Sequence, residues 1–244
     1  MSTVKLFISM LFAIPFVALF LGVLIFIPAN TIEWLEGWLY IIQIVLYVLI
    51  VFIYFMIKDP DTLLRRGKIS GSATDKIFLT LFGIDFFLLL ILPGFDFQYR
   101  WSPLQFTIEM VSFLGFNFQY KWSPVVSAIE VIGFLGLTLS YIIVFLVMRI
   151  NSFASKGVTI HDEQEVITTG PYAIVRHPMY VGFTLMSLSI PLALGSLISL
   201  VPALLVPFFI AFRIRYEEEL LKEELKGYKE YMEKVRYRLI PKIW

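Results

Sequence analysis

The sequence predicts an all-α integral membrane protein of about six transmembrane helices, including a C-terminal helical hairpin, followed by a cytoplasmic amphipathic C-terminal helix. Three observations carry this. Of the 244 residues 59% are hydrophobic and 17% aromatic, a usage well outside that of soluble globular chains. The apolar residues gather into runs near the ~20 residues a helix needs to cross a bilayer. The basic residues, finally, fall almost entirely on one side of those runs. A formal charge of +1 leaves no excess to attract nucleic acid. With no cysteine there is no thiolate nucleophile or cysteine metal site, and two histidines argue against a histidine metal centre, so no metal is expected.

Taken in order, the first span covers residues 6–28. Its apolar run exceeds the roughly 7 to 15 residues of a secretory signal core and no A-x-A site follows, so an uncleaved anchor is expected. The second covers 38–57. The third, 77–93, is shorter and contains Asp85, and the fourth covers 125–148. Residues 179–212 form one apolar stretch of 34 residues interrupted by Pro191, Gly195, Pro202 and Pro207. That stretch reads as a tight hairpin turning near Leu194-Gly195-Ser196. With the N-terminus inside, 18 of the 20 Lys and Arg residues lie on inner segments and only Arg100 and Lys121 lie outside, as the positive-inside rule requires. Six spans with both termini cytoplasmic follow. The mixed-charge segment 220–244 reads as an amphipathic surface helix ended by Pro241.

Gly94-Phe-Asp-Phe-Gln-Tyr-Arg-Trp-Ser-Pro103 recurs 21 residues later as Gly115-Phe-Asn-Phe-Gln-Tyr-Lys-Trp-Ser-Pro124, with Glu109 and Glu130 at matching offsets. The apolar residues between the copies, 104–114, cannot cross a ~30 Å core at ~1.5 Å each. They are placed in the outer interface, with Tyr99, Trp101, Tyr120 and Trp122 as belt aromatics. The duplication is read as local and without chemistry, and it ends an N-terminal unit, 1–124, that precedes a second unit, 125–244.

Polar residues are densest after the fourth span: around Asn151, then His161 to Glu165, then Thr168 to Gly182. Gly170-Pro171 is a turn signal, and Pro178 both biases His177 away from helix and suits the first turn of the next one. Arg176 and His177 therefore fall beside a helix N-terminus, whose backbone N–H groups and dipole favour an anion. The hairpin returns Arg213 and Glu217 to Glu219 to the same surface, with Arg213 and Glu217 as i,i+4 neighbours. A cationic fork and a carboxylate so placed suit an amino-acid-like zwitterion. The bland alternatives are a snorkelling Arg176, an interfacial His177 and a solvated acidic helix face, the last preferred for Glu219, Glu223 and Glu224. For Asp85 a structural role is preferred to a proton relay.

Gly-Pro-Tyr-x-x-x-Arg-His-Pro-x-Tyr-x-Gly at 170–182, the hairpin, Glu217-Glu218-Glu219, Tyr228-x-x-Tyr231 and the closing Val235-Arg-Tyr-Arg-Leu-Ile-Pro241 resemble the isoprenylcysteine carboxyl methyltransferase family and its prokaryotic relatives. The resemblance implies a membrane methyltransferase whose core is 125–244, with S-adenosylmethionine in a cytoplasmic pocket and no metal. It implies cofactor contacts from Asn151, Tyr172, Arg176, His177, Tyr180 and Glu218, with Glu218, and Glu217 as the second candidate, holding its amino group. Arg213 would orient the acceptor, and Arg213 and Glu217 carry the catalytic expectation. The duplicated Trp-Ser-Pro unit departs from the family pattern. The expected acceptor is amphiphilic, a carboxylate such as prenylcysteine, which is already a nucleophile at neutral pH; an amine would need a base such as Glu217, Glu218 or His177. Sterol reductases, which use NADPH, share a His-Pro-x-Tyr segment and a Tyr-Arg-x-x-Pro ending, but the tandem glutamates favour the methyltransferase. A non-enzymatic transporter would place its polar residues near the midplane, whereas here they lie at one surface.

Overall fold

The structure, a computed structural model, describes residues 3–60, 73–102, 124–151 and 165–244. Seven α-helices and one 3-10 turn account for the regular structure among these residues: α1 (Thr3–Ala29), α2 (Leu35–Lys58), α3 (Ala73–Tyr99), α4 (Pro124–Ile150), the turn Gly170–Ala173, α5 (Pro178–Ala193), α6 (Leu200–Glu224) and α7 (Tyr228–Lys234). The first four contain apolar spans long enough to cross a membrane, Met10–Ala29, Leu35–Lys58, Thr74–Tyr99 and Ala128–Ile150. This is an all-α integral membrane protein. Several helix ends follow the dipole rule, with Glu36 and Asp75 in the first turns of α2 and α3, and Lys58 and Arg149 in the last turns of α2 and α4.

Two boundaries differ from those expected. The third span does not stop at Pro93 but runs through it to Tyr99. The added turns are held by packing: the Phe97 ring stacks on Trp34 at 4.8 Å, and Gly94 sits against α1 so closely that a Cβ there would lie 2.6 Å from the Ile25 carbonyl oxygen. The segment 220–244 is not one helix. Helix α6 continues to Glu224, Gly227 takes a left-handed φ of +85°, α7 lasts seven residues, and Val235 leaves it in extended conformation. The hairpin turns where expected, with Gly195 at φ +66° and the Ser196 N–H donating to the Pro191 carbonyl at 2.8 Å, but its first arm is short. Helix α5 has 16 residues, roughly 24 Å at ~1.5 Å each.

The hairpin nevertheless reaches both ends of α3. At one end Arg213 of α6 pairs with Asp75. At the other, buried Asp96 accepts from the Ser196 hydroxyl at 2.6 Å, from the Ser102 N–H at 2.6 Å and from the Ser102 hydroxyl, while the Leu197 N–H donates to Ser102 at 2.9 Å. Asp75 and Asp96 are 21 residues apart, roughly 31 Å along a helix, so the hairpin lies beside most of the length of α3. Asp96 and Ser102 belong to the first copy of the duplicated unit, which here closes α3 onto the hairpin tip. Beyond them Tyr99 and Trp101 are exposed and stack at 5.4 Å, as expected of belt aromatics. Residues 104–114, the second copy with Tyr120 and Trp122, and His161 lie outside the described residues.

Helix α4 packs along α5 through small residues. A Cβ on Gly133 would run into the backbone of Ala193, one on Gly136 into the Ser189 hydroxyl, and one on Gly182 would lie 2.6 Å from Val144 Cγ2. Without a hydrophobic drive between helices in lipid, such close approach is what holds them together. Gly83 of α3 has nothing within 4 Å of its Cβ position. In detergent unfolding, Gly83→Ala is expected to stabilise by ~0.5–1 kcal/mol through helix entropy. Gly133→Ala is expected to destabilise by ~1–3 kcal/mol because a backbone must move; equal midpoints for the two variants would contradict the close α4–α5 contact.

Candidate active site

The hairpin's open end, the end of α4 and the closing segment meet at one place. Residues 175–177 lie beside 237–238, the Arg176 N–H donating to the Tyr237 carbonyl at 2.9 Å and the His177 N–H to the Arg238 carbonyl at 3.0 Å. His177 then caps α5, with Pro178 in its first turn, where the missing N–H is harmless. This pairing aims Arg176 and His177 inward, and both are buried.

At the centre is Glu218, 1% exposed. Arg176 Nε donates to its Oε1 at 2.7 Å, His177 Nε2 lies 3.3 Å from the same oxygen, and Arg238 Nε donates to Oε2 at 2.8 Å. Arg176 also donates through a terminal nitrogen to the Val235 and Arg236 carbonyls at 2.8 Å each. Burial alone pushes the Glu218 carboxyl upward, but the hydrogen bonds from His177, Arg176 and Arg238 outweigh it and hold the group down at about 2. Arg238 lies over the Trp244 ring at 5.4 Å, and the Trp244 carbonyl accepts from the N–H groups of Arg238, Leu239 and Ile240 at 3.0 to 3.2 Å. The closing segment is thereby folded back onto the carboxylate.

One residue earlier on α6, Glu217 is half-buried and opens a second chain of contacts. Its Oε2 accepts from the Tyr180 hydroxyl at 2.8 Å, that oxygen accepts from Arg213 Nε at 3.3 Å, and a terminal nitrogen of Arg213 pairs with Asp75. The guanidinium carbon lies 5.2 Å from the Phe78 ring centroid and 5.8 Å from that of Tyr216, within cation–π range. The His177 and Tyr180 rings, 5.8 Å apart, join the two chains of contacts. On the α4 side, Asn151 Nδ2 donates to the Tyr172 hydroxyl at 2.7 Å, and the Tyr172 carbonyl accepts from Tyr231 at 2.7 Å. Burial pushes the Tyr231 hydroxyl above its ordinary range, which keeps it a donor.

All eight site residues expected from the sequence lie at this end of the helices. Arg176, His177, Tyr180, Arg213, Glu217 and Glu218 form one contact network, and Asn151 and Tyr172 form a pair tied to it through α7. Asp85 is buried but lies ten residues along α3 from Asp75, roughly 15 Å away. Two members were missed. Asp75 could have been found by asking which acid at the ends of the spans answers Arg213, and Arg238 by noting that the closing motif returns two arginines towards a tandem glutamate.

The depressed Glu218 fixes a pH window. A group protonating at about 2 when folded, against about 4.5 when free, contributes stability that is fully present above pH ~4.5 and lost as pH falls towards ~2. Glu218→Gln is expected to cost ~3–5 kcal/mol at neutral pH, because it leaves buried cations uncompensated, and to flatten acid unfolding between those limits. Unfolding midpoints measured across pH 2 to 7 check both, and an unchanged acid slope in the variant would be inconsistent with this window.

Comparison with known proteins was informative for this region. The family model for phospholipid methyltransferase matches residues 128–227. A stretch of 76 residues is 38% identical to Protein-S-isoprenylcysteine O-methyltransferase B of Arabidopsis thaliana, covering 30% of this chain and 39% of that protein. A stretch of 85 residues is 32% identical to a Delta(14)-sterol reductase of Mus musculus, covering 33% of this chain and 20% of that protein. The chain thus spans well under half the length of either relative. The family match runs from α4 through the hairpin to Gly227 and takes in all eight expected site residues; over those residues the chain is similar to the phospholipid methyltransferase family.

Proposed function

We propose that this protein is an S-adenosylmethionine-dependent methyltransferase that transfers the methyl group to an amphiphilic acceptor at the cytoplasmic face, a carboxylate such as that of a prenylated cysteine. The observation that carries the reading is the half-buried Glu217 carboxylate, held by Tyr180 beside the buried Arg213.

The donor set fits the cofactor. An amino-acid head needs an anion for its ammonium, and Glu217 offers a carboxylate that Tyr180 orients without neutralising. Asn151 supplies an amide, and Tyr172 and Tyr180 supply half-buried ring faces suited to a cation or a heterocycle. Glu218, held by Arg176, Arg238 and His177, acts through Arg176 and His177, whose positions it sets. When bound, S-adenosylmethionine supplies a methyl group on a positively charged sulfur. In transfer to a carboxylate oxygen the sulfur–carbon bond breaks with its electron pair going to sulfur, the oxygen–carbon bond forms from an oxygen lone pair, and no proton moves. The protein's task is therefore alignment and exclusion of water, and orientation of two reactants contributes as much as ~7–11 kcal/mol. Arg213 holds the acceptor carboxylate as a planar fork. Phe208, Phe212 and Tyr216 follow one another at four-residue spacing along α6 past Arg213, with the two phenylalanines exposed, a ridge along which an apolar tail can lie in the bilayer.

Calorimetry on detergent-solubilised protein is expected to detect S-adenosylmethionine or its demethylated product and no NADPH. His177→Ala should weaken that binding ~10- to 100-fold, as for loss of a charge-assisted contact. NADPH binding without an S-adenosylmethionine signal would instead favour the reductase reading, to which the mouse sterol reductase match lends its support.

An acceptor carrying a prenyl tail is expected to show a higher kcat/KM than the same head group without it, since each buried CH₂ adds about 0.8 kcal/mol to binding. Equal values in a methylation assay would remove the case for entry from the lipid.

A further inference from the structure

Asp75 lies outside the residues that match the family model, on the N-terminal half of the chain, yet its carboxylate is buried against Arg213. It occupies the first turn of α3, where an acid is favoured by the helix dipole. One turn later the same helix supplies Phe78, whose ring faces the same guanidinium at 5.2 Å. Arg213 is thus gripped from two directions, by α3 through Asp75 and Phe78, and by α5 through the Tyr180 hydroxyl on its Nε. An arginine on a helix surface has many rotamers; one so held has its planar fork fixed, and a fork binds a carboxylate well only when its plane is set in advance.

We propose that Asp75 is a positioning residue for methyl transfer, fixing through its ion pair the guanidinium of Arg213 that receives the acceptor's carboxylate. This rests on the function proposed above and extends it: the N-terminal helices, beyond anchoring the chain, complete the acceptor subsite. Asp75 reaches the site through Arg213, and its removal is expected to leave the Tyr180–Glu217 contact and the Glu218 cluster in place.

The experiment uses the full chain in detergent, with S-adenosylmethionine and a prenylcysteine analogue as probes. Asp75→Asn is expected to bind S-adenosylmethionine within about threefold of the wild type while kcat/KM for the acceptor falls ~10- to 100-fold. Asp75→Glu should recover part of that loss. In the double variant Asp75→Asn with Arg213→Gln, turnover should be no lower than in Arg213→Gln alone, since residues acting as a unit do not add. Where Asp75→Asn gives little folded protein, the exchanged pair Asp75→Arg with Arg213→Asp restores the buried ion pair; thermal stability should return and turnover should not. Wild-type kcat and KM in folded Asp75→Asn, additive losses in the double variant, or turnover regained by the exchanged pair would each reduce Asp75 to a structural counter-ion. A wild type that neither binds S-adenosylmethionine nor methylates the analogue defeats the proposed function and this inference together, whereas an active wild type with an indifferent Asp75→Asn defeats this inference alone.

Discussion

The site end of the molecule depends on one buried carboxylate. Glu218 collects Arg176, His177 and Arg238, which arrive from the start of α5 and from the closing segment, while Glu218 itself sits on α6. A buried charge with good partners is tolerated, and one deprived of them is severely penalised, so these three pieces of chain cannot separate without exposing an uncompensated ion. The same constraint explains why 235–240 is not helical. Arg176 needs the Val235 and Arg236 carbonyls, and a continuing helix would have directed carbonyl oxygens into its own ladder.

Helix α3 plays the complementary role across the membrane. With Asp75 on Arg213 at one end and Asp96 on Ser196 at the other, it fixes both the depth and the rotation of the hairpin. Between those contacts α4 holds the hairpin from its other side through glycine and serine, where shape rather than charge decides. Strong polar contacts at the two ends and close apolar packing between them is an arrangement suited to lipid, because an unpaired polar group at mid-depth has no water to turn to.

Much of this was legible in the sequence for identifiable reasons. The long spans follow from length and hydropathy, and the hairpin turn from Gly195 between prolines. The gathering of Arg176, His177, Arg213, Glu217 and Glu218 follows from a hairpin whose two ends must face the same side. The extension of α3 past Pro93 was not legible, because it depends on α1 offering Ile25 and Trp34 as a surface for Gly94 and Phe97. The division of labour between adjacent glutamates was hidden as well. Neighbouring helix positions point about 100° apart, which turns Glu218 to Arg176 and leaves Glu217 with Tyr180, and only the placement of α5 decides which faces which.

That division bears on the proposed function, which needs a carboxylate left available beside so many arginines. Had both glutamates met the same cations, each would have been saturated and the site would hold no acid for a ligand's ammonium. Instead Glu218 takes Arg176 and Arg238, Asp75 takes Arg213, and Glu217 is left with a neutral hydroxyl donor from Tyr180. A hydroxyl orients a carboxylate while leaving its charge in place, whereas a guanidinium would neutralise it.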